Sequence, residues 1–143
     1  MLVRILLMPG DASTSAATLL QQNESVEWRI EHIAGLKVEE VRRLLDLLKQ
    51  RVAKDDRSGV CSLANYPLRI RKSFVPSAAD CVSGYKSIFN AKVVAAIGEQ
   101  RFESLFVNFQ GVMIGDTGEV WMDGVCRDQD CRQYDLRIVT VNN

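Results

Sequence analysis

The sequence predicts an α+β domain, in which helices and an antiparallel sheet occupy different parts of the chain. Three observations lead to this fold class. A long segment after Gly35 has the helical period, the end of the chain contains three strand-like segments joined by turns, and no strand–helix–strand unit repeats. The 143 residues have the usual size of one domain, and 47% apolar with 25% charged residues is typical of soluble globular chains. We therefore expect one folded core.

Residues 1–35 are predicted to form an N-terminal extension. Residues 1–8 are a short apolar run with one arginine, which indicates either a terminal strand or the remnant of an export signal. No run is long enough to span a membrane. Residues 25–32 alternate apolar and charged side chains, as a half-buried strand does. Residues 36–143 are then expected to form the single α+β domain.

The clearest predicted helix runs from about Val38 to Ala53. Its apolar residues recur at helical spacing, and most of its charged residues fall on the opposite side. The apolar positions are Val41, Leu44, Leu45, Leu48 and Val52. Because this is the longest apolar stripe in the chain, we expect the helix to lie at the centre of the core.

The middle of the chain is predicted to contain short helices and one strand. A short helix is expected before Pro67, and residues 66–74 have the alternation of a strand. Ser77 is a predicted helix N-cap, with Asp80 completing a capping box. Asn90 is predicted to cap the next helix.

The C-terminal region is predicted to form three consecutive antiparallel strands. Residues 105–114 are rich in aromatic and β-branched side chains, and residues 115–118 are a strong turn signal. A second strand is expected over residues 119–126, and a third over Tyr134–Val141 after a turn that contains Asp128 and Asp130.

Several stretches of residues 36–143 resemble a set of small, poorly characterised bacterial proteins that are often exported and have the nuclear-transport-factor-two-like, or cystatin-like, fold. The matching stretches are residues 66–69, 85 with 88–89, 105–108, 111–116, 118–121, 124 with 126, and 139–142. The resemblance implies an α+β roll, in which a bent antiparallel sheet wraps around the long N-terminal helix to form a cone. It brings no catalytic residue with it. It implies a periplasmic or exported location, with the cytoplasm as the alternative.

Cys126 and Cys131 flank a polar turn between two predicted strands, and three interpretations are open. The pair forms a disulfide in an oxidising compartment, stays as free thiols, or binds zinc. Zinc is least favoured, because the spacing is unusual for a zinc site and His32 is the only imidazole. The disulfide is favoured, and the state of Cys61 and Cys81 stays undecided.

Several classes of function have no motif in this sequence. Eighteen basic and eighteen acidic residues give a formal charge of zero, which disfavours nucleic-acid binding. A single histidine without a nucleophile elbow disfavours a serine hydrolase, and no phosphate-binding loop occurs. Asp128 and Asp130 lack the other ligands of a calcium loop, so we interpret them as a solvated turn. We expect neither a cofactor nor a metal.

Two groups of residues are candidate binding sites. The first would line the mouth of the cone and consists of Tyr66, Tyr85, Trp121 and Asp123. The second is an acidic surface on the C-terminal hairpins and consists of Asp116, Glu119, Asp128 and Asp130. For both groups an ordinary solvated surface is the alternative.

These sites lead to two hypotheses of different class. The first is a non-enzymatic binding protein, such as an inhibitor or immunity-type protein, whose partner is another bacterial protein. The alternative is an isomerase, dehydratase or cyclase that acts on a small molecule in the cone. In that enzyme Asp123 or Glu119 would be the base and Tyr85 the hydrogen-bond donor. A homodimer through the sheet is a further expectation.

Overall fold

The computed structural model describes residues 24–143, so the interpretations of residues 1–8 lie outside the described residues. Within this range six helices and a short 3₁₀ helix accompany one sheet of six strands. The helices are α1 (Val26–His32), α2 (Val38–Ala53), α3 (Arg57–Cys61), α4 (Ala78–Ser83), α5 (Tyr85–Ile88) and α6 (Ala91–Glu99), and the 3₁₀ helix is Phe102–Ser104. The strands are β1 (Ala64–Ile70), β2 (Ser73–Val75), β3 (Phe106–Asn108), β4 (Gly111–Ile114), β5 (Val120–Cys126) and β6 (Tyr134–Val141).

The sheet is open and mixed, with the strand order β2-β1-β6-β5-β4-β3. Four of the five strand pairs are antiparallel, whereas β1 and β6 are parallel. The expectation of a purely antiparallel sheet is therefore wrong at this one pair. The chain between β1 and β6 is long enough to bring β6 back in the direction of β1, which a short hairpin loop cannot do.

Residues 26–32 form a helix, and the prediction of a strand here is wrong. Ser25 caps α1, since its hydroxyl oxygen accepts a hydrogen bond from the Trp28 amide at 3.1 Å. Val26 and Ile30 lie four residues apart on one helix face, and both are buried. They belong to the same apolar cluster as the rest of the core, so the core includes α1.

The predicted central helix is confirmed as α2, with the bounds Val38–Ala53. All five residues of its predicted apolar stripe are buried. The helix contacts α6 on one side and β6 on another, and α1 and α3 lie beside it. Its position in the core follows directly from the stripe.

The two predicted N-caps in the middle of the chain are confirmed, but the capping box is not, because the Asp80 carboxylate accepts a hydrogen bond from the Ser77 hydroxyl at 2.7 Å and not from the Ser77 amide. The Asp80 amide donates to the Ser77 hydroxyl at 3.2 Å, and the Val93 amide donates to Asn90 Oδ1 at 3.0 Å. The single strand predicted over residues 66–74 is instead a hairpin of β1 and β2, because the chain turns at Arg71, where φ is +46°. The expected short helix before Pro67 is α3, which ends at Cys61.

The predicted second and third C-terminal strands are confirmed as β5 and β6. The single strand predicted over residues 105–114 is instead a hairpin of β3 and β4, joined by a two-residue turn at Phe109 and Gln110, and β4 pairs with β5. Gly115 and Gly118 both have a positive φ in the turn before β5, which explains the glycines there.

One face of the sheet packs against the helices and forms the core. Alternate residues of β1, β4 and the first half of β5 point to this inner face and are buried, as the period of a strand requires, and Ile138 and Val141 of β6 join them. The main inner-face residues are Leu68, Ile70, Val107, Val112, Ile114, Val120, Met122 and Ile138. None of the helices within residues 24–143 has the length and apolar character needed to cross a membrane.

Two disulfides are present in the structure. Cys126 and Cys131 are bonded, which confirms the favoured interpretation of this pair. Cys61 and Cys81 form the second bond, which the sequence had left undecided. It joins the end of α3 to α4, and both of its cysteines are fully buried.

Candidate functional site

The four residues predicted at the mouth of the cone lie in different parts of the molecule. Trp121 and Asp123 are half-buried on β5, on the face opposite Val120 and Met122. Tyr85 is buried in the helical layer and stacks on Phe89, with 5.1 Å between the ring centroids.

Tyr66 is also held on the side of α3, because its hydroxyl donates to the Cys61 carbonyl oxygen at 2.6 Å. It lines a cavity of about 340 Å³ with Val125 and Arg137, whereas Trp121 lines a different one. The structure therefore keeps only Trp121 and Asp123 together.

The four acidic residues of the predicted partner surface are divided between the two ends of β5. Asp116 and Glu119 lie in or beside the turn before this strand, and Asp128 and Asp130 lie in the turn after it. The seven residues of β5 separate the two pairs by about 20 Å. Asp128 also accepts a hydrogen bond from the Arg132 amide at 3.1 Å, so it stabilises its own turn.

Glu119 is buried, and it anchors the turn between β4 and β5. The amide of Thr117 donates to one carboxylate oxygen at 3.2 Å, and the hydroxyl of Thr117 donates to the other. Burial alone would raise the pKa of Glu119, but these hydrogen bonds and the charge of Lys92 hold it below its ordinary value. Glu119 is therefore a carboxylate at neutral pH, with both oxygens engaged.

A cleft of about 510 Å³ lies between α6 and this turn. It contains Gln100 and Glu119, which are the two buried polar residues within residues 24–143. Gln100 Oε1 accepts from the Gly115 amide at 2.8 Å, and Gln100 Nε2 donates to the Arg101 carbonyl at 2.8 Å. Sequence analysis did not find Gln100, because no motif marks it. Its side chain joins the end of α6 to the turn.

The outer face of the sheet, opposite the helices, carries one row of side chains that crosses all six strands. Each residue of the row is the register partner of the next, so the Cα atoms of neighbouring residues are about 5 Å apart. The outer row, in order from β2 to β3, is Phe74, Arg69, Thr140, Trp121, Met113 and Phe106. The row is continuous because the parallel pair of β1 and β6 joins the two antiparallel parts of the sheet.

The outer row contains two of the three exposed phenylalanines of the described chain. Phe74 is 62% exposed and Phe106 is 41% exposed, and they lie on the two edge strands. Phe109, in the turn next to β3, is 81% exposed. Trp121 and Met113 are half-buried and continue the apolar surface from Phe106, whereas the two polar members of the row separate them from Phe74. Exposed aromatic side chains in one row are typical of an interaction site.

Three cations lie at the β1–β2 end of the outer row. Arg69, Arg71 and Lys72 are exposed, and their side chains form no ion pair or hydrogen bond with the described residues. Asp123 lies on the same face, and burial raises its pKa although the Gly124 amide donates to it at 2.8 Å. The outer face therefore has exposed aromatic side chains at both edges and positive charge at the β1–β2 end.

A cavity of about 330 Å³ opens on this face between β1 and β5. Arg69, Arg71, Gln110, Trp121 and Thr140 line it, and Val139 supplies an apolar wall. Among residues 24–143, no group of three histidine, cysteine or acidic side chains has the arrangement of a metal site.

Comparison with known proteins gives no match to a family model, a curated protein or a solved structure. The function is therefore argued from the geometry of the outer face.

Proposed function

We propose that this chain is a non-enzymatic binding protein, which holds an acidic protein partner on the outer face of its sheet. The observation that carries the proposal is the outer row. It places exposed phenylalanines at both edges of the sheet and Trp121, Met113 and Arg69 between them, and Arg69 has no ion pair or hydrogen bond with the described residues. Aromatic residues, methionine and arginine are the types enriched in protein interfaces.

The size of the outer row favours a protein over a small molecule. Six strands set about 4.8 Å apart give the row a length of about 24 Å. A small ligand is usually enclosed in a pocket that covers most of its surface. An open surface that extends from one sheet edge to the other instead matches one side of a protein interface.

The charge of the outer face favours an acidic partner over a second copy of the chain. A two-fold interface places the same patch of both copies together. Arg69, Arg71 and Lys72 would then meet a face whose carboxylates are Asp123 and Asp135, and Asp135 is already paired with Arg127. Such a homodimer would offer the three cations of each copy one carboxylate that has no ion pair among the described residues, Asp123, whereas an acidic partner would offer several.

The fold and the location extend the same proposal. The order of helices and strands, with β6 returning beside β1, is compatible with a cystatin-like roll around α2. Two disulfides are typical of proteins that fold in an oxidising compartment, which supports a periplasmic or exported location. We infer that the chain acts there as an inhibitor or immunity-type partner of another bacterial protein.

The enzyme hypothesis has less support from the geometry. Its base and its donor would have to face one cavity, but Asp123 lies on the outer face and Tyr85 is buried among the helices. Burial raises the pKa of Tyr85, and the guanidinium of Arg57 lies over its ring at 5.4 Å. The other base, Glu119, has both carboxylate oxygens engaged by Thr117.

A binding measurement on variants of the outer row tests the proposal. The partner would be cross-linked to the wild-type chain in the source cell, identified, purified and measured by surface plasmon resonance. Phe74→Ser with Phe106→Ser should weaken Kd by at least about tenfold, because two exposed anchors are lost. The matched control, Leu47→Ser with Val94→Ser, removes two partly buried apolar residues of the helices and should change Kd less than about threefold.

Thermal melts would first confirm that both variants are folded. If the Phe74/Phe106 variant binds the purified partner as tightly as the wild type does, the outer row is not the interface. A dimer of the chain itself, seen by sedimentation and lost in the same variant, would replace the acidic partner with a second copy.

A further inference from the structure

We infer that the outer-face cavity between β1 and β5 is a carboxylate pocket, which receives an aspartate or glutamate side chain of the partner; this rests on the proposed function. The cavity has a volume of about 330 Å³ and lies on the outer row, between Arg69 and Trp121. Its position makes it part of the same surface that the partner would cover.

The polar groups of this cavity are dominated by hydrogen-bond donors. Arg69 and Arg71 contribute two guanidinium groups, and Trp121, whose indole N–H is a further donor, also lines the cavity. None of these three side chains donates a hydrogen bond within the described chain. No carboxylate of residues 24–143 lines the cavity, so no described acidic side chain neutralises the two positive charges from inside.

This arrangement matches the chemistry of a carboxylate. A guanidinium donates two parallel hydrogen bonds to the two oxygens of one carboxylate, and such charged bonds are among the strongest that proteins form. Two like charges in one cavity repel each other, and an anion between them removes that repulsion. Val139 and the ring of Trp121 provide an apolar wall for the methylene groups of an acidic side chain.

The surroundings of the cavity favour a side chain of a protein over a free anion or a nucleic acid. The cavity is flanked along the outer row by Met113 and Phe106 on one side and by Phe74 on the other. A free anion would leave these apolar residues uncovered. A nucleic-acid strand needs a cationic track, whereas the cations here lie at one end and Asp123 lies near the middle of the face.

A peptide titration followed by NMR tests the inference without the natural partner. The probe is the blocked tripeptide Leu-Glu-Leu, and its matched control is Leu-Gln-Leu, which has the same shape without the charge. The chain has two tryptophans, so the Trp28→Phe variant assigns the indole signal of Trp121. The glutamate peptide should shift this signal in a saturable way, with a Kd on the order of 1 mM, and the glutamine peptide should bind at least about tenfold more weakly.

Two matched charge variants locate the effect. Arg69→Gln with Arg71→Gln should remove the shift caused by the glutamate peptide. Arg43→Gln with Arg132→Gln removes the same amount of charge from exposed arginines of α2 and of the β5–β6 turn, and it should leave the titration unchanged. An equal response to both peptides, or a response that survives loss of Arg69 and Arg71, would overturn the inference.

Two further probes test whether the cavity binds another kind of anion. Inorganic phosphate that binds more tightly than the glutamate peptide would make the cavity a free-anion site, and a single-stranded oligonucleotide that does so would make it a nucleic-acid site. With the purified partner, loss of binding in the Phe74/Phe106 variant but not in the Arg69/Arg71 variant leaves the proposed function standing and removes the carboxylate pocket. Saturable binding of the glutamate peptide together with unchanged partner binding in the Phe74/Phe106 variant would leave the carboxylate pocket standing. It would remove the outer row as the interface with the partner.

Discussion

The two faces of the sheet are built from the same strands but differ in what their residues do. On the inner face, Met122 and Ile138 are fully buried against the helices. On the outer face, Trp121 and Met113 are half-buried, and Phe74 at the edge is 62% exposed. Because successive side chains of a strand point in opposite directions, one strand serves both faces at once.

The difference shows which residues carry stability and which are available for binding. An apolar side chain on the inner face already contacts the helices, so its removal leaves a cavity. An apolar side chain on the outer face is covered only in part by the chain, so its remaining surface is open to a partner. Variants on the two faces should therefore separate folding from binding.

The largest expected effect is on the inner face. Met122→Ala should lower the free energy of unfolding by about 2–5 kcal/mol, because it removes a fully buried side chain from the core. Met113→Ala makes the same chemical change at a half-buried position of the outer row and should cost less than about 1 kcal/mol. Urea denaturation of both variants measures the difference.

Equal losses in the two methionine variants would contradict the distinction between the faces. An intact slope of unfolding free energy against urea concentration in each variant is the control, since it shows that the unfolding transition is of the same kind.

The two disulfides differ in burial, as the two faces of the sheet do, and also in loop length. Cys61 and Cys81 are buried and 20 residues apart, whereas Cys126 and Cys131 are exposed and only 5 residues apart. Replacing both residues of the buried pair by alanine should cost about 3 kcal/mol, and replacing the exposed pair should cost about 2 kcal/mol, because the shorter loop restricts the unfolded chain less. Melting of the two double variants under oxidising conditions tests this order. A larger loss from the exposed pair would mean that the β5–β6 turn contributes more to stability than its loop length implies.

The sequence predicted the long helix α2 better than the short helix α1. The stripe of α2 extends over sixteen residues, so only the helical period fits it. In α1 the segment is short, and Val26 and Ile30 are four residues apart, a spacing that fits both a strand of period two and a helix turn. The capping hydroxyl of Ser25 was the signal that distinguished the two.

The outer row could be predicted only in part. Strand alternation correctly placed Trp121 and Asp123 on one face, but the neighbours of Trp121 depend on a parallel pairing between β1 and β6 that local sequence does not encode. Phe106 was not recognised as a surface residue, because residues 105–107 are all apolar and show no alternation. Which residues make up the outer row therefore depends on long-range strand pairing and not on local sequence propensity.

Two carboxyl groups should respond to pH in opposite ways. The pKa of Glu119 is lowered in the folded chain, so its contribution to stability is present above the ordinary glutamate pKa and is lost as the pH falls through the folded value. The pKa of Asp123 is raised by burial, so ionisation of Asp123 destabilises the fold as the pH rises through the folded value.

Replacing each carboxyl group by the corresponding amide should change the free energy of unfolding in opposite directions for the two residues. Glu119→Gln should be less stable than the wild type at pH 7 by about 1 kcal/mol, and the difference should shrink below about pH 4. Asp123→Asn should be slightly more stable than the wild type at pH 7, with no difference at acid pH. Denaturation curves between about pH 3 and about pH 7 measure the stability of both variants. If both were more stable, or both less stable, than the wild type at neutral pH, these assignments would be contradicted.

The smallest expected effect is kinetic, and it distinguishes the outer face from the acidic hairpin surface. If an acidic partner binds the outer face, Asp123→Lys adds positive charge there and should speed association by about two- to threefold at low salt, with the gain lost at high salt. Asp130→Lys, in the exposed β5–β6 turn, should change neither the association rate nor the melting temperature measurably. If the acidic hairpins were the binding surface, both substitutions would slow association instead. Surface plasmon resonance at two salt concentrations with the purified partner shows whether each substitution speeds or slows association. Slower association of Asp123→Lys would mean that the acidic hairpins, and not the outer face, bind the partner.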